Sequence, residues 1–449
     1  MALQPSRPGS GIGHGFLSSG PLKPFSYPRF RLFWAASLSS VMPFVMGMAA
    51  RGWLVLVLTD SPFMVTAVQG VLMLPMALLT PFGGVIADRL NRKMVLLASD
   101  AANLLIFLGL TLLLLLGLIQ VWHVFALAFL NGMAFAMSTP TRATVIHDVV
   151  GQGDLAKGVA VYTTVFSISQ LVGPALAGYL MGRSPDQLGW TFLAASAFLV
   201  PAMAFLMPLS IPNRAAILEG VSRTSVMGSM GEGLGYVRAN SLLVGLLLMS
   251  VVFAVFGVPY QTVLPVFARD ILNAGPDGLG MLLAAAGAGA IKGSLNVALF
   301  STARQMQVLI FATGFALGPT IILFAFSPYF PTSLVLVLGV GLMIQVFGVT
   351  TFALIQVGSP TNIRGRVVSI LMLAWGLGPI GMFLLGFGAE VLAPEIALVV
   401  MGAISFALMG LLMLGIPALR RMELELGDRT RSPLEEALSD SPAVPTESD

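Results

Sequence analysis

A run of about twenty apolar residues recurs twelve times along this chain, and about twenty is what one helix needs to cross a lipid bilayer. The runs start near Phe33, Phe63, Met94, Trp122, Gly158 and Trp190, and again near Ser241, Gly278, Met306, Thr332, Val367 and Ile396. A water-soluble fold has no means of covering them. Only 10% of the residues are charged and 57% are hydrophobic, whereas a soluble domain carries about 25% charged residues. The expectation is an all-α membrane protein with twelve transmembrane helices in two six-helix halves.

The polar stretches divide the chain. Residues 1–29, rich in Gly, Ser and Pro, read as a disordered cytoplasmic tail without the pattern of a cleaved signal peptide. The first span then serves as an uncleaved signal-anchor. Six spans fill 30–211, a cytoplasmic linker covers 212–240, six more spans fill 241–420, and 421–449 is a second disordered cytoplasmic tail. With the N-terminus inside, all but four of the 23 Lys and Arg fall on inner segments. Arg183 and Arg269 lie in outer loops, and Arg51 and Lys292 within spans. That asymmetry predicts a multi-pass protein of the cell membrane with both termini cytoplasmic.

Several chemistries are excluded. The chain has no cysteine, so it has neither disulfides nor thiolate metal sites. His14, His123 and His147 are too scattered for a metal cluster, and a net charge of +3 is too small to argue for nucleic acid. "GAGAIKGS" places its lysine before the glycine, the reverse of a phosphate loop. The glycines of "GPALAG" and "GLGPIG" suit close helix packing instead.

One charged cluster stands between two spans: "GGVIADRLNRK", Gly83 to Lys93. A loop of about six residues there predicts a tight hairpin between spans two and three, with Asp88 accepting backbone N–H groups at a helix N-terminus. Arg89, Arg92 and Lys93 would face cytosol and lipid phosphate. The order Gly-x-x-x-Asp-Arg-x-x-Arg-Lys resembles the loop signature between the second and third spans of the major facilitator superfamily. It matches at Gly84, Asp88, Arg89, Arg92 and Lys93, with Asn91 where a glycine is often found. The resemblance implies the major facilitator fold. It also implies a cytoplasmic latch between the halves, its acid approaching the start of span eleven, where Arg364 and Arg366 are candidate partners. Asp100, near the inner face of span three, is a candidate partner for Arg92 or Arg89.

"STPTRATVIHDVV" after span four and "SPTNIRGRVVSI" before span eleven each precede a Gly-Pro step, at Gly173–Pro174 and Gly378–Pro379. This is the internal repeat such transporters carry. With Gly178, these residues are expected to mark tightly packed, bent segments. The run from "TPTR" through "VGPALAG" further resembles bacterial exporters of the enterobactin exporter and transmembrane secretion effector branch. Two departures matter. "FSTARQMQ" after span eight keeps only Arg304 of the loop signature. Span four has Asn131–Gly132 where many proton-driven drug antiporters have Arg-x-x-x-Gly. No cofactor is expected, and a coupling proton or other ion is left open.

Charges inside a span are costly and therefore functional candidates. Arg51 lies roughly 10 Å from the outer end of span one, and Lys292 roughly 12 Å from the inner end of span eight, at the helical rise. Each either faces a central cavity, favouring a negative or electron-rich substrate, or snorkels: Arg51 outward to lipid phosphate or Asp60, Lys292 inward. Gln69, Asn131, Gln261 and Gln345 are further candidate substrate contacts, as are Asn103, Gln170, Asn296 and Gln356. Each is equally explained as an interhelical hydrogen bond.

The reading is a secondary transporter working by alternating access, exporting an amphipathic small molecule, siderophore-like or drug-like. Its partners are that substrate and the lipid bilayer, with no nucleic acid, and the protein is expected to be a monomer. A lipid or lysolipid translocator of the same fold is the alternative. A membrane-embedded enzyme would need a cluster of intramembrane His, Asp or Ser at catalytic spacing, and a sensor would need a folded output domain. The sequence displays neither.

Overall fold

The computed structural model describes residues 22–89, 91–181, 187–211, 226–299, 303–360 and 363–421, with the backbone alone at 80–89, 152, 156, 226–230, 298–299 and 303. Residues 1–21, 212–225 and 422–449, on which most of the expected tails and linker fall, lie outside them. Six long helices come first: α1 (Pro28–Thr59), α2 (Pro62–Arg89), α3 (Arg92–Leu115), α4 (Val121–Val150), α5 (Leu155–Met181) and α6 (Leu188–Leu206). A shorter helix, α7 (Val226–Ala239), precedes the second set. That set is α8 (Ser241–Ile271), α9 (Gly275–Leu299), α10 (Ala303–Ala325), α11 (Phe330–Gly358), α12 (Arg364–Val391) and α13 (Pro394–Gly415). Among the described residues twelve helices are long and apolar enough to cross a membrane. Each begins within five residues of its sequence-predicted start.

Local chemistry sets the ends. Pro28 and Pro394 open their helices at a position where a missing N–H costs nothing. Asn91 and Asn240 cap α3 and α8 through side-chain oxygens. The turn from α1 to α2 is only Asp60–Ser61, with Asp60 in the left-handed region at φ 54°. Here a prediction is corrected. Asp88 and Arg89 belong to the last turn of α2 and not to a loop. The N-terminus of α3 is capped by Asn91, whose Oδ1 accepts from the amides of Lys93 and Met94 at 3.1 and 3.3 Å.

The two sets of six meet chiefly along two helix pairs, α2 with α12 and α5 with α9. Proline and glycine shape the second crossing together. Pro174 has no N–H to give the carbonyl of Gln170, four residues earlier. That carbonyl faces Gly287 of α9, where a Cβ would stand 2.6 Å from it. The tightest approaches are not where the Gly-Pro steps fall. A Cβ on Gly173 would make ordinary contacts at 3.4 Å with Met42 and Val45, and one on Gly378 would have only the Ala254 carbonyl, at 3.8 Å. Gly178, against Gly280, and Gly381, against the Val255 carbonyl, have no room at all. The α5 helix runs unbroken through Pro174, whereas α12 breaks into two segments just before Gly378–Pro379.

Candidate functional site

A cavity of about 200 Å³ lies between the two sets of helices. Phe44 and Met48 of α1, Met73 of α2 and Phe135 of α4 supply one wall; Gln170 of α5 and Gln261 of α8 supply its polar side chains. The rings of Phe44 and Phe135 stack at 3.8 Å. Gln261 sits on a 3-10 turn, Val258–Val263, flanked by π-type turns at Phe253–Gly257 and Phe267–Ile271. Pro259 and Pro265 withhold the N–H groups that a regular helix would use there. Among the described residues the cavity wall carries no charge. It can therefore hold an apolar or aromatic body and offer amide hydrogen bonds to it.

At the end of the bundle that carries Asp60, the two halves are clasped. The carboxylate of Glu390, from α12, accepts from the hydroxyl of Ser61 at 2.8 Å and from the amide of Phe63, in the first turn of α2, at 3.1 Å. Arg269 of α8 pairs with Asp60 and also with its neighbour Asp270. Sequence reasoning missed this clasp, because its members are ordinary turn residues until the fold brings them together.

Arg51 is the clearest correction among the candidate residues. It neither snorkels nor lines the cavity; it is fully buried between α1, α3 and α4. Its Nη2 donates to Asn131 Oδ1 at 2.9 Å, Asn131 donates to Asn103 Oδ1 at 2.7 Å, and the guanidinium lies 5.8 Å from the Phe107 ring centroid. Its Nε and Nη1 have no hydrogen-bond partner. Lys292 is exposed and outside the cavity wall. Gln69 donates to the Met48 carbonyl at 2.8 Å, tying α2 to α1. Gln345 donates to Ser294 at 2.9 Å, tying α11 to α9. Of the ten candidate substrate contacts, only Gln261 and Gln170 line the cavity.

The charged seam of α3 and α4 also departs from expectation. Asp100 pairs not with Arg92 but with Arg142, at 3.1 Å, and the Arg89 side chain, its other expected partner, lies outside the described residues. Arg92 pairs with Asp148 at 2.6 Å, and Lys93 donates to the Met207 carbonyl at 2.5 Å. The reason is helical register: Asp100 lies about 12 Å along α3 from Arg92 at 1.5 Å per residue. Arg364 approaches the Ser359 carbonyl at 3.4 Å, and Arg366 pairs with Glu232 of α7. The side chains of Asp88 and Arg89, and the surroundings of Gly84, the heart of the expected latch, lie outside what is described.

Next to this seam, at the start of α1, Asp154 Oδ2 accepts from Lys23 at 2.7 Å and from the Tyr27 hydroxyl at 2.8 Å. The Lys23 hydrogen bond, then that of Tyr27, hold the Asp154 carboxyl below its ordinary range, and Asp154 in turn raises both Lys23 and Tyr27.

A twelve-helix bundle in two halves, with a cavity between them and a clasp across one end, defines a major facilitator superfamily transporter. The chain belongs to the transmembrane secretion effector family, whose model matches residues 19–441. It is similar to the multidrug efflux pump Tap of Mycolicibacterium fortuitum, 27% identical over 83% of this chain and 91% of that protein. It is also similar to macrolide efflux protein A of Streptococcus pyogenes, 24% identical over 81% of this chain and 89% of that one. A crystal structure of the nucleoside transporter NupG has the same fold, with a TM-score of 0.67 at 14% identity over 86% of this chain and 98% of that one. These are membrane transporters, not enzymes.

Proposed function

We propose that this chain exports amphipathic, largely apolar small molecules of the drug-like kind across the cell membrane by alternating access, with both termini cytoplasmic and the Asp60 end outside. The single observation that carries this reading is the cavity between the halves, apolar and aromatic with two amides and no charge on its described wall. The argument from charge for an acidic substrate falls away, because Arg51 and Lys292 lie outside the cavity wall, while a relative named staphyloferrin A transporter still points to a siderophore-like one. Names of relatives that export macrolides and multiple drugs point to the drug-like kind. At about 200 Å³ the cavity is below the roughly 300–1,000 Å³ of drug-sized sites. A macrolide would enter only as the halves part at the cytoplasmic end. The test is counterflow of a labelled macrolide into proteoliposomes preloaded with unlabelled macrolide. Transient accumulation supports the reading; equilibration at the rate of empty liposomes overturns it.

The lipid translocator remains the second reading. An apolar groove of about 840 Å³ between α3 and α4, with Asn91 and Ser99 as its polar side chains, is of a size to take an acyl chain. Counterflow of a fluorescent lysolipid in the same liposomes, without macrolide counterflow, would favour it.

A further inference from the structure

Two glutamines line the central cavity, and the fold makes little use of either side chain. Elsewhere glutamines tie segments together. Gln69 donates to the Met48 carbonyl, Gln345 to Ser294, and Gln307 of α10 to the carbonyls of Leu419 and Arg420. Among the described residues the side chain of Gln170 has no such partner. Gln261 reaches only the neighbouring Tyr260 hydroxyl, through Nε2 and at a long 3.4 Å, which leaves its Oε1 free. Apart from these two amides the wall is apolar, made chiefly of Phe44, Phe135 and Phe166 with Met48, Met73 and Met76. The amides also come from opposite halves. Gln170 stands on α5 at its crossing with α9, where its backbone carbonyl faces Gly287, and Gln261 stands on the 3-10 turn of α8.

An amide side chain presents N–H donors beside a carbonyl acceptor. In an apolar cavity both functions need partners, and a ligand that leaves one unpaired loses affinity. A carboxylate only accepts and an ammonium only donates, and neither meets a counter-charge on the described wall. An ester carbonyl only accepts. A secondary amide carries both functions side by side, so that its N–H meets a glutamine Oε1 and its carbonyl meets the Nε2 hydrogens. Volume adds a limit on size. At about 200 Å³ the cavity is smaller than the roughly 300–1,000 Å³ of drug-sized sites, which leaves space for one ring or branched alkyl group against the stacked Phe44 and Phe135.

We infer that the cavity selects small uncharged molecules by their amide groups, and that the cargo class is that of cyclised or end-blocked dipeptides. Such a molecule has two amides, one for each half, on an apolar or aromatic body. This deepens the export reading and rests on its assignment of the cavity as the transport site. A ligand held by Gln170 and Gln261 together bridges the halves. A free dipeptide instead brings an ammonium and a carboxylate that the wall leaves unpaired.

Three probes test this by equilibrium binding to the purified full chain. They are the cyclic dipeptide of phenylalanine and leucine, its analogue with one ring N–H replaced by oxygen, and the linear zwitterionic dipeptide. The cyclic dipeptide is expected to bind, the ester analogue about fivefold more weakly, as loss of one ordinary hydrogen bond predicts, and the linear dipeptide more weakly still. Equal affinities for amide and ester overturn the inference, as does failure of the cyclic dipeptide to bind or a linear dipeptide that binds as well. These comparisons use the wild type and need no variant to fold. In the double variant Gln170→Leu with Gln261→Leu the amide–ester difference should vanish, and its persistence overturns the assignment to these side chains. Counterflow in proteoliposomes separates the two levels. Macrolide counterflow without an amide preference sinks this inference alone. Counterflow of neither macrolide nor cyclic dipeptide sinks the transport reading, and the cargo class with it.

Discussion

Gly178 of α5 and Gly280 of α9 meet backbone to backbone. A Cβ on Gly178 would stand 2.7 Å from the Gly280 Cα, and a Cβ on Gly280 would stand 2.8 Å from the Gly178 Cα. This crossing joins the two halves, and neither side has a flexible neighbour to yield. Gly178→Ala is expected to destabilise by about 1–3 kcal/mol, the usual cost of overpacking. Gly173→Ala, with 3.4 Å of clearance, should be close to neutral. Thermal unfolding of the purified variants in detergent checks the contrast; equal melting temperatures would show that the crossing is loose.

The clasp at Glu390 and Arg269 is expected to bias the equilibrium between open and closed ends. Exposed pairs of this kind are worth about 0.2–1 kcal/mol each. Glu390→Ala with Arg269→Gln, together about 0.4–2 kcal/mol, should therefore raise the ratio of molecules open at the Asp60 end by about two- to thirtyfold. The chain has no cysteine, so Met48→Cys in the cavity wall reports directly. Its labelling by an impermeant maleimide from that side should speed up in the double variant.

Gln170 and Gln261 are expected to set affinity through single hydrogen bonds. Leucine at either position removes about 1 kcal/mol, a several-fold rise in macrolide Kd by equilibrium binding. Gln345→Leu and Gln69→Leu, outside the cavity wall, should leave Kd unchanged and lower stability instead.

Asn91→Ala should cost about 1 kcal/mol by uncapping α3, whereas Asn91→Gly should cost only a few tenths. Thermal melts of the two variants side by side make the comparison. An alanine variant as stable as wild type would show that the cap contributes nothing.

The Lys23–Asp154–Tyr27 contact has a definite pH window. Asp154 is depressed by its partners from 3.8, so its contribution is present above that value and is lost as pH falls through the lower folded value. Lys23 is raised from 10.5, so its contribution is complete below that value and is lost as pH rises through the higher folded one. Near neutral pH the contact is intact. Asp154→Asn should release the start of α1, read as faster thiol labelling of Ser26→Cys at pH 7.

The twelve spans were legible because bilayer crossing writes itself as length and apolarity, which need no knowledge of neighbours. The break just before Gly378–Pro379 was legible for a similar reason, since proline acts on its own chain, although Pro174 leaves α5 unbroken. Arg51 was misread because depth along a helix says nothing about rotation around it. One face of α1 looks into the cavity and the other into the bundle. The choice between them depends on Asn131, eighty residues away. Asp100 was assigned to the nearest bases in sequence, while its partner Arg142 waits on the next helix. The Glu390 clasp left no mark at all, since one of its donors is a backbone amide.

The irregular winding of α8 has a mechanical consequence. A 3-10 turn rises about 2.0 Å per residue and an α-helix about 1.5 Å. Rewinding the six residues Val258–Val263 into α-helix would shorten that stretch by about 3 Å. The π-type turns on either side already carry surplus backbone to redistribute. Gln261 would be carried along the axis by a distance comparable to a hydrogen bond, with both ends of the helix still anchored. The length of α8 is thus adjustable from within, and the grip on a bound molecule can be released by a change of pitch rather than by a swing of the whole helix.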